Sequence, residues 1–186
     1  MACDEVWLIR HGETEWSRDG RHTSTTDLPL TREGEAVARG LRDRLDDDFS
    51  LVLTSPRSRA RETARLAGHP EAEVDPDLAE WAYGDLEGRT TPEIRETYPD
   101  WSIWSGPVPG GESAADMTTR LDRVVARCRA GEGRVLLFGH GHCLRGLAAR
   151  WLELPVTDGR HLRLDTATVS VLGWERETPV VQRWNS

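Results

Sequence analysis

The sequence contains no lysine. All 24 of its basic residues are arginine, and 32 acidic residues outnumber them to give a net charge of -8. Nucleic-acid binding needs a basic surface that releases counterions from phosphates, so this charge argues against a nucleic-acid partner. A GC-rich coding genome is the first explanation for the arginine bias, because the two basic side chains replace each other on most solvated surfaces despite their physical differences. Only the placement of individual arginines is therefore informative.

Long apolar runs and paired cysteines are also absent. No run approaches the roughly 18 residues that a membrane helix needs, and residues 1–6 carry two acids where a signal peptide carries basic charge. We therefore expect a cytoplasmic protein with no membrane partner. The three cysteines, Cys3, Cys128 and Cys143, are odd in number and form no C-x-x-C pair. Neither a disulfide framework nor a thiolate zinc site is expected.

The length and composition fit one globular unit. A chain of 186 residues with 37% hydrophobic content is long enough to bury one sizeable core. No internal repeat, low-complexity tract or linker interrupts it, and the Gly- and Pro-rich stretch at 106–111 is predicted to be a loop. Residues 1–186 are therefore predicted to form a single domain.

Short apolar runs predict the strands of a sheet. Three of them, at residues 6–9, 51–53 and 135–138, are apolar throughout, as strands covered on both faces are. Two more strands are predicted within residues 168–184, joined by a turn around Glu177. Helical patterns alternate with the first three strands, so the order of elements predicts an α/β domain with a largely parallel sheet.

Caps and apolar spacing predict five helices between these strands. They begin after Thr31, at Ser55 with Pro56 in the first helical position, after Thr91, at Ser113 and at about Cys143. In the first helix the apolar stripe consists of Val37, Leu41 and Leu45. The second helix stops before Gly68, the fourth ends at Gly131, and the fifth extends to Leu154 before Pro155. In the fourth helix the apolar face consists of Met117, Leu121, Val124 and Cys128.

Arginine and histidine side chains follow directly after each of the three central strands. Arg10-His11-Gly12 follows the first, TSPRSRARETA at 54–64 follows the second, and GHGH at 139–142 follows the third. The carboxyl ends of parallel strands lie along one edge of a sheet, where ligands bind, so these groups are expected to converge on one pocket. Helix N-termini there add free N–H groups, so the pattern predicts a phosphate site.

Catalysis at such a site needs a nucleophile and an acid. A neutral imidazole can attack phosphorus to give a phosphohistidine that water hydrolyses, and arginines stabilise the charge on the transferred group. Two acids in AEWAYGDLEG, Glu80 and Glu87, are candidates to protonate the leaving alcohol, because burial beside Trp81 or Tyr83 favours a protonated carboxyl. Gly12 is interpreted as the residue that lets phosphate approach the chain.

These motifs together resemble those of the histidine phosphatase superfamily, branch 1, whose members are similar to phosphoglycerate mutases. LIRHGETEW, LTREG, TSPRSRARETA, AEWAYGDLEG, GGES and FGHGH occur in the family's order across residues 6–146. The resemblance implies a three-layer α/β/α sandwich and a phosphohistidine mechanism without a metal or cofactor.

The resemblance also implies roles for individual residues. His11 matches the nucleophile, Arg10 and Arg59 match the phosphate-binding arginines, His140 matches the second histidine that holds the phosphoryl group, and Glu80 matches the general acid/base. Beside these positions, the residues expected to bind substrate are Ser17, Thr23, Gly141 and His142. Glu87 is interpreted as structural. Arg57 and Arg61 fall off the matching position and are expected to point elsewhere than Arg59.

Departures from the family pattern favour hydrolysis over mutase chemistry. Ser17 and Ser24 stand where the cofactor-dependent mutases carry Asn and Gly, and only 60 positions separate Glu80 from His140, where those mutases have a long insert. We predict a metal-independent phosphomonoesterase that hydrolyses a small phosphorylated metabolite, of the sugar or glycerate phosphate type, through phosphorylated His11. Two alternatives remain open: mutase-type phosphoryl transfer, and a phosphate-ligand or phosphoprotein binding module without turnover.

Three further expectations concern the surroundings of the site. The H-x-H pair at 140–142 could bind zinc with an acid such as Glu13 or Glu15, or with His22, but the neighbouring arginines would repel a cation, so no metal is predicted. Trp101 and Trp104 are expected to line the mouth of the site as a cap. The tail strands are expected to be exposed and so available for pairing across a homodimer, while the oligomeric state stays open.

Overall fold

The computed structural model describes residues 3–45 and 48–186. Its centre is a six-stranded sheet with the strand order β3-β2-β4-β1-β5-β6. The strands are β1 (Cys3–Arg10), β2 (Leu51–Thr54), β3 (Glu73–Val74), β4 (Gly133–Gly139), β5 (Val169–Glu175) and β6 (Thr178–Arg183). The first four in spatial order are parallel to one another, and β5 and β6 run antiparallel as the tail hairpin. The largely parallel sheet is confirmed.

Helices cover both faces of the sheet. They are α1 (Glu15–Arg18), α2 (Arg32–Gly40), α3 (Ser58–Leu66), α4 (Thr91–Arg95), α5 (Ala114–Ala130) and α6 (Gly141–Trp151). Short 3₁₀ helices follow at Leu41–Asp43, Pro76–Leu78, Gly84–Leu86 and Val156–His161. In the described ranges, no helix is both long and apolar enough to span a bilayer.

The central strands alternate their side chains between two apolar layers. In β1, Val6 and Leu8 pack in the core that contains the buried faces of α5 and α6. Trp7 and Ile9 point the other way, into the core beside α3 and the Leu41–Asp43 turn. Since both faces are covered, the strand is apolar throughout, and the predicted three-layer α/β/α sandwich is confirmed.

Helix α5 forms as its sequence predicts. Ser113 caps it, and its hydroxyl and the Asp116 carboxylate exchange hydrogen bonds with each other's backbone N–H in a capping box. The predicted apolar face is fully buried, namely Met117, Leu121, Val124 and Cys128. The helix ends at Ala130, immediately before Gly131.

The predicted stripe of the helix after Thr31 is confirmed for Leu41 and Leu45, which are buried, but it is wrong for Val37. Thr31 does cap α2, but α2 ends at Gly40, and Val37 is 44% exposed. The buried face instead contains Gly34 and Ala38. A Cβ on Gly34 would lie 2.3 Å from the carbonyl oxygen of Glu13, so the smallest residues of α2 face the chain after β1. The orientation of α2 is therefore set by a close contact between two backbones, and the spacing of apolar residues gives no information about such a contact.

Two predicted helix boundaries are also wrong. Helix α3 begins at Ser58 rather than Ser55, because the Asp27 carboxylate caps it by accepting from the Ser58 N–H at 2.9 Å. Ser55 instead extends the ladder of β2, since its N–H donates to Phe138 O at 2.9 Å. Helix α6 begins at Gly141 and ends at Trp151, and Glu153 then adopts a left-handed φ of 64°.

Candidate active site

The carboxyl ends of β1, β2 and β4 meet at one edge of the sheet, as predicted. The His11 N–H donates to Gly139 O at 3.0 Å and so joins the ends of β1 and β4. A cavity of about 170 Å³ opens at this edge. Seven of the predicted site residues line it: Arg10, His11, Ser17, Thr23, Glu80, Gly141 and His142. Arg59 and His140 are fully buried behind the lining.

The His11 ring is held in a single tautomer. Nδ1 lies 2.7 Å from Gly12 O, and because a carbonyl only accepts, Nδ1 carries the ring proton. Burial, reinforced by the positive charges of Arg59 and Arg10, lowers the pKa of His11 well below its usual value. The ring is therefore neutral, and Nε2 keeps the lone pair that a nucleophile needs.

His140 lies against His11 and is oriented by Ser55. The two imidazole centroids are 5.1 Å apart, in an edge-to-face arrangement. Nε2 of His140 is 2.7 Å from Ser55 Oγ, which also accepts from the Arg57 N–H at 3.3 Å. Because none of the described residues offers the buried Ser55 hydroxyl another acceptor, we assign its hydrogen to the bond with Nε2, which places the proton of a neutral His140 on Nδ1. Burial first, and then Arg59, His11 and other nearby basic groups, lower the pKa of His140 well below its usual value.

The Nδ1–H of His140 is left without an acceptor in this arrangement of the described residues. It is buried and makes no hydrogen bond within residues 3–45 and 48–186. A buried donor without a partner is costly unless a ligand satisfies it. An N–H beside a nucleophilic imidazole is suited to stabilising negative charge on a transferred group.

Two arginines converge on the histidines from different directions. Arg10 donates from Nη1 to Leu164 O at 2.6 Å, and its guanidinium lies against the backbone at Gly141. Arg59 is fully buried and donates to the carbonyl oxygens of Thr23, Ser24 and Thr26. The Nε atoms of both arginines are buried without a hydrogen-bond partner in the part of the chain that the structure describes. Both therefore retain donor capacity next to His11.

The two arginines that flank Arg59, Arg57 and Arg61, are less buried than Arg59 and do not line the cavity at His11. Arg61 is exposed and lines a different cavity, with Glu62 and Arg65. Arg57 is half-buried, and its charge contributes to the lowered pKa of His140. Arg57 therefore lies closer to the site than its position in the motif implies, although it does not line the cavity at His11.

Glu80 lies at the N-terminus of α6. One carboxyl oxygen accepts from the N–H groups of Trp81 and Cys143, both at 2.8 Å. The other accepts from the His142 N–H at 3.0 Å. The prediction from burial considered only the aromatic neighbours, whereas the structure adds three backbone donors and the positive end of a helix dipole. The carboxyl is thus held rigidly at the edge of the cavity.

Glu87 does not line the cavity but organises the loop beside it. Its carboxylate accepts from the Ser24 N–H at 2.8 Å and the Thr26 N–H at 3.0 Å. Burial alone would raise the pKa of Glu87, but these hydrogen bonds hold it below its usual value. The same loop presents the carbonyl groups that bind Arg59. This placement supports the structural interpretation of Glu87.

The interpretation of Gly12 is wrong. A Cβ there would lie 2.6 Å from Gly34 O, so the glycine allows the chain after β1 to pack against α2 rather than phosphate to approach. Its carbonyl then serves to orient His11. In the same region the Ser17 and Thr23 hydroxyls donate to backbone carbonyls, Thr14 O at 3.0 Å and Arg21 O at 3.1 Å.

The predicted tryptophan cap is also wrong. Trp101 and Trp104 are 2% and 8% exposed, and neither lines the cavity. Trp104 packs edge-to-face on His142 with centroids 5.3 Å apart, and Trp101 packs in the same way on His22 at 5.2 Å. The tryptophans therefore support the histidines of the wall from behind.

The two histidines of the H-x-H pair have separate partners. His140 bonds to Ser55, whereas His142 Nδ1 lies 2.6 Å from the Tyr83 hydroxyl. Among the residues that the structure describes, no three His, Cys, Asp or Glu side chains are grouped closely enough to bind a metal ion.

Sequence reasoning gave no binding or positioning role to several residues that the structure brings to the site. Ser55 contacts His140 from behind, and Tyr83, Arg21 and Arg145 are among the side chains that line the cavity. Ser55 was detectable, because it lies two residues after the predicted central strand at 51–53. Arg145 was not, because one arginine in a helix of an arginine-rich chain has no distinguishing pattern.

A parallel-sheet sandwich that collects neutral histidines and buried arginines at one edge is a phosphate-handling architecture. A model of the family described as histidine phosphatase superfamily (branch 1) matches residues 6–186. The chain belongs to this superfamily.

Known proteins resemble this chain over most of its length. An acid phosphatase of Mycobacterium tuberculosis is 43% identical over 173 residues, which cover 90% of this chain and 85% of that protein. A sedoheptulose 1,7-bisphosphatase of Saccharomyces cerevisiae is 38% identical over 183 residues, covering 80% and 68%. A solved structure of an open-reading-frame product from Mycobacterium tuberculosis superposes with a TM-score of 0.93 at 38% identity, covering 98% of this chain and 97% of that one.

Proposed function

We propose that this protein is a metal-independent phosphomonoesterase that hydrolyses a small phosphorylated metabolite through a phosphohistidine at His11. One observation carries the proposal: the hydrogen bond of Nδ1 to Gly12 O, which leaves Nε2 of a neutral, buried His11 unprotonated. Family membership and the phosphatases among the relatives support it.

In the first half-reaction Nε2 of His11 attacks the phosphorus atom. A bond forms between Nε2 and phosphorus while the bond from phosphorus to the leaving oxygen breaks. Glu80, in its protonated form, gives its proton to that oxygen, so the product leaves as a neutral alcohol. Arg10, Arg59 and the Nδ1–H of His140 stabilise the charge on the three remaining oxygens.

In the second half-reaction water attacks the phosphohistidine. The Glu80 carboxylate accepts a proton from the water, the bond between phosphorus and Nε2 breaks, and His11 returns to its neutral form. The products are inorganic phosphate and the enzyme with Glu80 protonated, ready for another cycle. The arginines supply the positive charge for which other phosphatases use a metal ion.

The size and charge of the site define the substrate class. A cavity of about 170 Å³ is large enough for a phosphate with a short carbon chain or for the phosphorylated end of a sugar. The relatives include an acid phosphatase and a phosphatase of a sugar bisphosphate. We therefore propose sugar or glycerate phosphates as substrates and, because the net charge is -8, no nucleic-acid partner.

Three organisational proposals accompany this function. The protein is cytoplasmic, residues 1–186 form one domain, and two copies pair through the tail hairpin. Strand β6 lies at one edge of the sheet, with Thr178, Gln182 and Arg183 exposed, and is a longer pairing edge than the two-residue β3 at the other. The molecular mass in solution tests the dimer.

The test is release of p-nitrophenol from p-nitrophenyl phosphate in the presence of a chelator. We expect the native protein and His161→Ala, which removes an exposed histidine, to be equally active, and His11→Ala to be inactive. Acid-labile, base-stable labelling by a ³²P-phosphoester should appear only in the active forms. Activity lost to the chelator would indicate a metal site, whereas phosphate binding without turnover would indicate a binding module. Bisphosphate-dependent interconversion of phosphoglycerates would indicate a mutase.

A further inference from the structure

Arg145 brings a further guanidinium to the cavity of the proposed active site. It lies on the first turns of α6, three residues after His142, so both side chains project from one face of the helix. Arg145 lines the same cavity as Arg10 and His11. The sequence motifs do not predict a positively charged side chain at this position.

The Arg145 guanidinium is fixed in place by neutral groups. Nε donates to Gly159 O at 3.1 Å and Nη2 donates to Arg160 O at 3.3 Å. The same group stacks over the Trp104 ring, 4.9 Å from its centroid. These contacts use two of its five N–H groups and hold the plane of the guanidinium steady. The remaining donors, including both on Nη1, are left for a ligand.

No carboxylate in residues 3–45 and 48–186 forms an ion pair with Arg145. Other arginines near this helix are paired: Arg150 with Asp122 at 2.7 Å and Arg129 with Glu153 at 3.2 Å. Burial lowers the pKa of Arg145, and the charge of Arg10 lowers it further, while Glu80 opposes this. A half-buried guanidinium without a counter-ion is costly, and an anionic ligand would remove that cost.

Arg21 adds a second cation to the same lining. Its Nη1 donates to Gly88 O at 2.9 Å, and it too forms no ion pair with a described carboxylate. One phosphoryl group is already served by Arg10 and Arg59 beside His11. The cavity therefore carries more positive charge than a single phosphate requires, and the excess is contributed by Arg145 and Arg21.

We propose that Arg145, assisted by Arg21, binds a second anionic group of the substrate, so that the preferred substrates are phosphoesters with another phosphate or a carboxylate. The inference rests on the proposed function, because Arg145 binds the end of the substrate that lies away from the phosphoester attacked by His11. Arg145 is then a specificity residue, which recognises a group that does not react.

The test compares substrates that differ only in the second anionic group. Fructose 1,6-bisphosphate is paired with fructose 6-phosphate, and 3-phosphoglycerate is paired with glycerol 3-phosphate. p-Nitrophenyl phosphate reports on the reaction centre alone. A preference in only the first pair identifies a phosphate as the second anion, and a preference in only the second pair identifies a carboxylate.

Removing the charge of Arg145 should abolish the preference. For Arg145→Gln we expect kcat/KM for the preferred member to fall roughly 10- to 100-fold, the loss typical of a hydrogen bond to a charged group, and to fall much less for p-nitrophenyl phosphate, which has no second anionic group. Arg145→Lys keeps the charge and should retain part of the preference. The matched control is Arg163→Gln, because Arg163 is highly exposed and precedes Leu164 in the lining.

Two outcomes would overturn the inference. One is a native protein that does not distinguish the members of either pair. The other is an equal loss on every substrate in Arg145→Gln, with a lowered melting temperature, which would show that Arg145 only packs against Trp104. Affinities of the substrate pairs for His11→Ala, measured by calorimetry, separate this inference from the proposed function. A binding preference that disappears when Arg145→Gln is added supports the subsite even if turnover is never observed.

Discussion

Ser55 Oγ lies 2.7 Å from Nε2 of His140, and this buried hydrogen bond joins the end of β2 to the residue that precedes α6. The serine hydroxyl is anchored from its other side by the Arg57 N–H. His140 therefore cannot rotate freely beside His11, and in the proposed mechanism its Nδ1–H is the group that contacts a phosphoryl oxygen. Ser55 acts through another residue, so its role is positioning.

Ser55→Ala should lower kcat by about 10-fold and change KM little. Without the hydrogen bond from Ser55, His140 can adopt other tautomers and orientations, and the free energy of about one hydrogen bond is lost from the transition state. Ser55→Thr retains the hydroxyl and should recover most of the lost rate. Single-turnover measurement of His11 phosphorylation isolates the affected step. A rate for Ser55→Ala equal to that of the native protein would show that the contact has no part in catalysis.

The convergence of the site was predictable from the sequence because it depends on one regularity. Parallel strands end at one edge, so Arg10, His11 and His140 had to meet once three buried strands were recognised. The exact start of α3 was not predictable, because its cap is Asp27, which lies 31 positions earlier in the chain. The prediction used only the local pattern that places Pro56 in the first turn, and a local pattern gives no information about a cap so distant in the sequence.

Acid should destabilise the fold through its buried histidines, and His22 allows the most direct measurement. Burial lowers its pKa to about 4, although Glu87 opposes the shift. Between about pH 6.5 and pH 4 the unfolded chain binds a proton at His22 that the folded protein does not, so stability falls as the pH falls. Each such histidine contributes a slope of up to about 1.4 kcal/mol per pH unit.

His22→Gln should make the pH dependence of unfolding shallower. The glutamine amide can still hydrogen-bond to Thr91 Oγ1, the partner of His22 Nε2 at 3.2 Å, but it does not titrate. Urea unfolding at pH 7, 6 and 5 should show the native and variant free energies converging as the pH falls. His161→Gln, at an exposed position, is the matched control for the loss of an imidazole. Curves for His22→Gln and the native protein that stay parallel would refute the lowered pKa.

Glu87→Ala should lower both stability and activity. It leaves the N–H groups of Ser24 and Thr26 without their acceptor, at a cost of about 2–3 kcal/mol. The loop that binds Arg59 loosens, so kcat/KM should fall as well. Because the pKa of Glu87 is lowered on folding, its contribution is present above the unfolded value, near pH 4.5, and is lost as the pH falls further.

Matched variants distinguish this role from a loss of charge. Glu71→Ala removes an exposed carboxylate and should change neither property. Denaturant unfolding and kcat/KM for p-nitrophenyl phosphate, measured on the same preparations, provide the comparison. A stable but inactive Glu87→Ala would contradict a structural role and would instead place Glu87 in the chemistry.

Residues that act through the interior are the part of the site that sequence patterns could not define. From the sequence, Gly12 is assigned to the approach of phosphate, whereas in the structure it packs against Gly34 of α2. This contact between distant parts of the chain is visible only in the folded protein. Trp101 and Trp104 occur in a Gly- and Pro-rich segment that resembles an exposed loop, but they are buried behind His22 and His142. Burial of a loop depends on the rest of the fold, which composition does not specify.

Glu80→Gln should affect substrates according to their leaving groups. A p-nitrophenolate leaves readily without a proton, whereas the alkoxide of glycerol 3-phosphate does not, so general-acid catalysis matters far more for the second substrate. We expect the rate of His11 phosphorylation to fall by roughly 10²- to 10⁴-fold with glycerol 3-phosphate and much less with p-nitrophenyl phosphate.

The glutamine is not a silent replacement, because its NH₂ group would face one of the three N–H donors that the carboxylate accepts. A general disturbance of α6 would slow both substrates equally and weaken the binding of inorganic phosphate, so the dependence on the leaving group is the diagnostic quantity. Rapid-quench measurement of the first turnover, with phosphate inhibition as the binding control, separates the two causes. Equal slowing of both substrates would remove Glu80 from the role of general acid and leave it as the cap of α6.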